Sequence, residues 1–174
     1  MTDEPPVEFG IRTAVFPIGS CSPFLAGLRA IAAARSTRII CFNADLMAGR
    51  AHAEAAIRRA LRAVKGGSAI SSSLEMEALI SASGSRQCSA AGRFGVHEGE
   101  NRAYVCLCPP VPGAWQDLAG IMEFVDDDWE TIDEEKRKRL SEAFGITPAE
   151  IRTAGQERFR ELVLERVALL EVYR

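Results

Sequence analysis

Two histidines, His52 and His97, are all the imidazole that this chain of 174 residues offers. Any acid–base or metal chemistry would therefore fall on cysteines and carboxylates. The five cysteines (Cys21, Cys41, Cys88, Cys106 and Cys108) form an odd set with no CxxC pair, which argues against a disulfide framework. Reduced, mostly buried thiols are expected instead. Cys106 and Cys108 would share one face of a strand, but no second pair accompanies them. Neither a GxxxxGK[ST] phosphate loop nor GxGxxG occurs, and Gly92-Arg93-Phe94-Gly95 has the spacing of neither. A GxSxG elbow is missing too. No catalytic residue, cofactor or metal site is assigned, and for His52 a surface or capping role is expected. No apolar run approaches the roughly 20 residues that span a bilayer, so no membrane partner is expected. The acidic, Pro-containing start from Met1 to Pro6 lacks the basic and apolar regions of a secretory signal, and the expected compartment is the cytoplasm.

The composition, 47% hydrophobic and 26% charged, is that of a globular protein. The length suits one domain, residues 1–174 with a flexible tail at 1–8, burying about 70% of the unfolded chain's surface. The net charge of −3 is unevenly spread. Residues 38–93 hold eight bases against four acids, whereas 123–135 hold eight acids and no base. One face can thus attract phosphate on an acidic molecule. The acidic run from Asp126 to Glu135 is expected to be a solvated helix boundary.

Periodicity predicts a first strand over 9–18 and a helix opened by Ser22 as cap and Pro23 as its first residue, running to Arg35. The continuous apolar run in 38–43 predicts a strand buried on both faces. Over 49–64, Ala53, Ala56, Ile57, Ala60, Leu61 and Val64 form an apolar stripe flanked by Arg58, Arg62 and Lys65, an amphipathic helix closed by Gly66-Gly67. Further helices are expected after Ser71–Ser73 up to Gly84, over 86–94, over 115–125, over 133–144, from the Thr147-Pro148-Ala149-Glu150 start, and over 156–173. A strand is expected at 103–108, stopped by Pro109-Pro110. The sum is an α/β (α+β) chain with a small central sheet of three to five strands, about seven or eight helices and a helix-dominated C-terminal half.

Two helix ends concentrate hydroxyls, an arginine and an amide: Ile70-Ser71-Ser72-Ser73 and Ala82-Ser83-Gly84-Ser85-Arg86-Gln87. Helix N-termini present unpaired N–H groups to anions, and Arg59, Arg62 and Lys65 lie near in sequence. Such a set suits a single-stranded RNA backbone, with Ile70 against a base face, although aromatic platforms are missing. The ordered set Asn43-Ala44-Asp45, His52, Ile-Ser-x-Ser-Leu-x-Met-Glu over 70–77, Ala82 to Gln87, Phe94-Gly95-Val96 and Glu165-Arg166-Val167-Ala168-Leu169-Leu170 resembles the small subunit family of the KEOPS complex, whose eukaryotic relative is the PRPK-binding protein. The resemblance runs from about Arg38 to Arg174, and the first 37 residues match only in their strand-then-helix layout.

That resemblance implies a non-catalytic subunit that binds the atypical kinase/ATPase subunit and recruits tRNA through its 3′ CCA end, while other subunits form threonylcarbamoyladenosine. By position it implies an RNA surface of Lys65, Ile70, Ser73, Arg86 and Gln87, with Arg59 and Arg62 adding charge. The excess of apolar residues on the last helix points to Val167, Leu169, Leu170 and Val172 as the kinase-facing set. The arginine-rich composition and Gly145-Ile146-Thr147-Pro148-Ala149-Glu150 look archaeal in style. The rival readings are a protein-only adaptor without RNA binding, and a small metal or thiol enzyme using Cys41, Cys106 and Cys108 with His97.

Overall fold

The computed structural model describes residues 8–172. Residues 1–7 of the expected tail at 1–8 and Tyr173, the last residue of the expected C-terminal helix, lie outside them. Four strands build one antiparallel sheet in the order β2-β3-β1-β4. They are β1 (Gly10–Ile18), β2 (Arg38–Asn43), β3 (Gly99–Cys108) and β4 (Glu123–Val125). Around them stand α1 (Cys21–Arg35), α2 (Arg50–Lys65), α3 (Leu74–Ser83), α4 (Cys88–Gly92), α5 (Pro112–Leu118), α6 (Glu134–Phe144), α7 (Pro148–Ala154) and α8 (Phe159–Val172), eight α-helices among the described residues. The architecture is α+β.

Strand alternation divides the core in two. On one face Ile11, Ile40, Phe42, Tyr104 and Cys106 pack against Ala53, Ala56, Ile57 and Ala60 of α2, Leu140 and Phe144 of α6, and Phe159 and Val163 of α8. On the other, Ala14, Phe16, Ile18, Ile39, Cys41, Val105 and Leu107 meet Leu28 of α1 and Ala114 and Leu118 of α5. Burial of β2 on both sides follows, as its unbroken apolar run predicts.

Several boundaries differ from the sequence reading. α1 begins at Cys21 behind Ser20, earlier than a Ser22 cap would have it; Pro23 still falls in the first turn, where no intrahelical N–H bond is lost. β3 starts at Gly99 rather than Ala103, because its polar first residues pair with the far end of β1. The expected 115–125 helix is α5 plus β4. α5 starts earlier, with Pro112 in its first turn, and ends at Leu118; the chain then turns through Gly120 so that Glu123–Val125 pairs with Thr13–Val15. Phe124 on β4 stacks with Trp115 edge to face and lies under the Arg12 guanidinium at 4.0 Å, contacts a continued helix would not supply. Val64, assigned to the buried stripe of α2, is exposed. The expected 86–94 helix shortens to Cys88–Gly92.

The acidic run is more than a solvated boundary. The Glu130 carboxylate accepts from the Arg50 N–H at the start of α2 at 2.9 Å, and Asp128 pairs with the Arg50 side chain at 3.3 Å. Asp133 caps α6 by accepting from the Lys136 N–H. Acids at helix N-termini meet the positive end of the dipole. Tyr104, buried in the sheet, donates its hydroxyl to the Asp128 carbonyl and ties the run down.

Candidate functional site

α2 runs along the sheet with Arg58, Arg62 and Lys65 outward. The chain leaves it through Gly66 and Gly67, and Gly67 takes the positive φ of 73° that the reversal requires. Residues 68–73 then cross to α3. Ser73 is the cap: its hydroxyl accepts from the Met76 N–H at 3.1 Å. α3 closes at Gly84 in the left-handed conformation, which turns the chain into Ser85-Arg86-Gln87 and the short α4.

The crossing segment is held from inside. Glu77 is fully buried; its Oε2 accepts from the N–H groups of Ile70 and Ser71, at 2.9 and 2.8 Å. Its Oε1 accepts from Arg59 Nη1 at 3.3 Å, and the same nitrogen donates to Ser81 Oγ at 3.0 Å. Arg59 is 5% exposed, so the sequence assignment of its charge to a phosphate is corrected: its guanidinium is the counter-ion of a buried carboxylate. The signal was present. Positions 52, 56, 59 and 63 lie on one helical face, so His52 and Arg59 share the buried stripe with two alanines.

Above this clamp, Arg59, Arg62, Ser68, Ile70, Arg86 and Leu170 line a pocket of about 480 Å³. Ile70 stands 41% exposed at it, an apolar side chain carried by an anchored backbone. Arg62 reaches across to α8, where its Nε and Nη2 donate to Glu171 Oε1 at 3.1 and 2.9 Å, and Glu171 is also in the pocket wall. Of the seven residues expected to face RNA, the fold thus brings Arg59, Arg62, Ile70 and Arg86 together. Lys65 is exposed at the end of α2 and Gln87 is exposed at the start of α4; neither lines the pocket. Ser73 is spent on its cap and borders a different cavity. That second cavity, larger at about 870 Å³ and mainly apolar, lies between α1, β2 and α3, with Arg29 and Arg38 in its lining beside Glu75.

The four apolar residues expected to face a kinase divide. Val167 and Leu170 are buried, Leu170 with Ile80 and Ala91, so they are core residues rather than free docking groups. Leu169 is half-buried and Val172 is 70% exposed.

Of the surface or capping role expected for His52, the surface position is overturned. The residue is fully buried, its Nδ1 accepts from the Ala48 N–H at 3.0 Å, and its Nε2–H donates to the Ala82 carbonyl at 2.9 Å. Since a backbone N–H can only donate, Nδ1 must be the unprotonated nitrogen. Burial pushes the ring's pKa down to about 4, against the Ala82 bond, which raises it, and with help from the Lys136 charge. The imidazole is a neutral brace between α2 and α3.

Burial pushes the Cys41 thiol up to about 12 and raises Cys106 as well, so both stay protonated near neutral pH and are poor nucleophiles. They face opposite sides of the sheet. His97 is exposed, with Nδ1 on the Glu98 carbonyl. Among the described residues no group of three or more His, Cys, Asp or Glu is placed to hold a metal ion, and no helix is long and apolar enough to cross a membrane.

The anchored loop, the pocket with Arg62 and Arg86 in its lining, and the end of α8 thus lie side by side. The sequence matches the family of the kinase binding protein CGI-121 over residues 25–171, and the chain belongs to that family. The match begins within α1, earlier than the resemblance read from motifs, and agrees with its assignment to the KEOPS small subunit family. Family membership places the chain among kinase-binding proteins. No curated protein matches.

Proposed function

We propose that this protein is a non-catalytic, cytoplasmic subunit of the KEOPS complex, which binds the atypical kinase/ATPase subunit and recruits tRNA by its single-stranded 3′ CCA end for threonylcarbamoyladenosine formation. The observation that carries the RNA half is the pocket of about 480 Å³ where Ile70 meets Arg62 and Arg86. An unpaired terminal base needs an apolar face to stack on, and its flanking phosphates need cations within reach. Both stand here side by side, with Lys65 exposed on the adjoining helix end. The kinase half rests on the family, and Leu169 and Val172 are the residues of the original α8 set that remain accessible for it. The chemistry falls to other subunits: the buried thiols are protonated and His52 is locked between two backbone groups.

The test is titration of full-length tRNA and of tRNA lacking its CCA end, at two salt concentrations, against the wild type and a Lys65→Ala, Arg86→Ala variant. Intact tRNA should bind more tightly than the trimmed form. The variant should lose affinity with a shallower salt dependence, because two phosphate-neutralising groups are gone. Equal, negligible binding of both RNAs at low salt would leave a protein-only adaptor as the better account.

A further inference from the structure

The segment 68–73 has no strand or helix of its own, yet it carries Ile70 at the pocket. Its ends are tied by the Ser68 N–H, which donates to the Ala63 carbonyl at 2.9 Å, and by the Ser73 cap, while its middle is held by one side chain. Glu77 uses Oε2 on two consecutive backbone amides, Ile70 and Ser71, and Oε1 on Arg59. The Ser81 hydroxyl completes the cluster, accepting from Arg59 and donating to the Glu77 carbonyl at 2.8 Å. A carboxylate buried without solvent needs such donors, and it holds them in a fixed geometry in return. Glu77 itself is 0% exposed and absent from the pocket lining.

We propose that Glu77 is the positioning residue of this pocket: by pinning the amides of Ile70 and Ser71 it sets the selectivity for an unpaired 3′ end without touching RNA. The proposal rests on the RNA reading above. Charge attraction through Arg62, Arg86 and Lys65 acts on any RNA, whereas the stacking face acts only where the strand end is free. Glu77 therefore governs the ratio between intact and trimmed RNA, not the general affinity.

Glu77→Gln is the informative change. Its single carbonyl oxygen can accept from the loop amides or from Arg59, and its amide group then points donors at donors. Glu77→Asp keeps the charge beside Arg59 but is one methylene short of the loop. The experiment measures intact and 3′-trimmed tRNA binding to wild type, Glu77→Gln, Glu77→Asp and Ile70→Ala at two salt concentrations, with amide hydrogen exchange at Ile70 and Ser71. Intact tRNA should weaken by about ten-fold in the Glu77 variants, converging on the trimmed form. Binding of trimmed tRNA and its salt slope should stay as in the wild type, and exchange at the two amides should accelerate. Ile70→Ala should reproduce the loss of selectivity, and combining it with Glu77→Asp should add nothing. Retained selectivity in both Glu77 variants, or proportional loss of both RNAs, overturns the proposal. A wild type that does not distinguish the two RNAs refutes the RNA reading and the selectivity role with it, while the exchange rates still report whether Glu77 holds the loop.

Discussion

The Arg62–Glu171 pair predicts that removing a negative charge will tighten RNA binding. Both donor nitrogens of Arg62 rest on one Glu171 oxygen, with side chains 60% and 43% exposed. A pair this open contributes less than about 1 kcal/mol, so a phosphate can displace the carboxylate at small cost. It must then lie near the displaced charge: two unit charges at roughly 6 Å in water repel by about 0.7 kcal/mol before salt screening. Glu171→Gln removes both penalties. The expected gain is about 1 kcal/mol, roughly five-fold in Kd for a CCA-ended RNA at low salt, shrinking as salt rises. Arg62→Gln should move the other way. Fluorescence anisotropy titrations of the two variants beside the wild type measure both. Unchanged or weaker RNA binding by Glu171→Gln would refute the assignment of Arg62 to the phosphate path.

Two further predictions concern the frame. With His52 held near pKa 4 when folded against its ordinary 6.5, the unfolded chain takes up a proton before the native state does. This group's stabilisation is complete above about pH 6.5, falls as the pH drops toward 4, and changes no further below; the total is about 3 kcal/mol. Urea unfolding across that range should show the decline in wild type and a flatter profile in His52→Gln, and an NMR titration of the ring near its ordinary value would contradict it. On α8, Val167→Ala should cost about 2 kcal/mol, read as a lower thermal midpoint, because it opens a cavity in the core. Leu169→Glu with Val172→Glu should leave the midpoint nearly unchanged but weaken the complex with the kinase subunit more than ten-fold by calorimetry. An unaltered complex would move the docking surface off α8.

Where the chain follows one period over many residues, the sequence showed the element. α2, α6 and β2 came out within a residue or two of their expected bounds, because burial of one stripe or of both faces leaves a strong pattern. β4 was invisible for the opposite reason: three residues carry no period, and only pairing with Thr13–Val15 makes them a strand. The pocket was half legible. Ile70, Arg62 and Arg86 could be named because exposed charge and hydroxyl-rich caps read locally. Glu77 entered the sequence reading only as the last residue of the 70–77 motif, since its partners Arg59, Ile70 and Ser71 come together only when α2 folds against α3. The helical offset from His52 to Arg59 held the clue that these two polar residues point inward.

Four consecutive residues at the end of α8 give the proposed function its geometry. Leu170 faces in, packs on Ile80 and Ala91 and closes the pocket; Glu171 turns aside to hold Arg62 on the pocket wall; Leu169 and Val172 stay accessible. A helix advances about 100° per residue, so such a division among neighbours is what its geometry produces. A kinase seated on Leu169 and Val172 would therefore lie within one turn of the side chain that competes with RNA for Arg62. Any shift of α8 on docking would change the Glu171–Arg62 distance directly; the loop carrying Ile70 is tied to α3 through Glu77, and α3 in turn packs on α8 where Ile80 meets Leu170. On the proposed function, the partner would then tune how strongly a phosphate is held through Arg62.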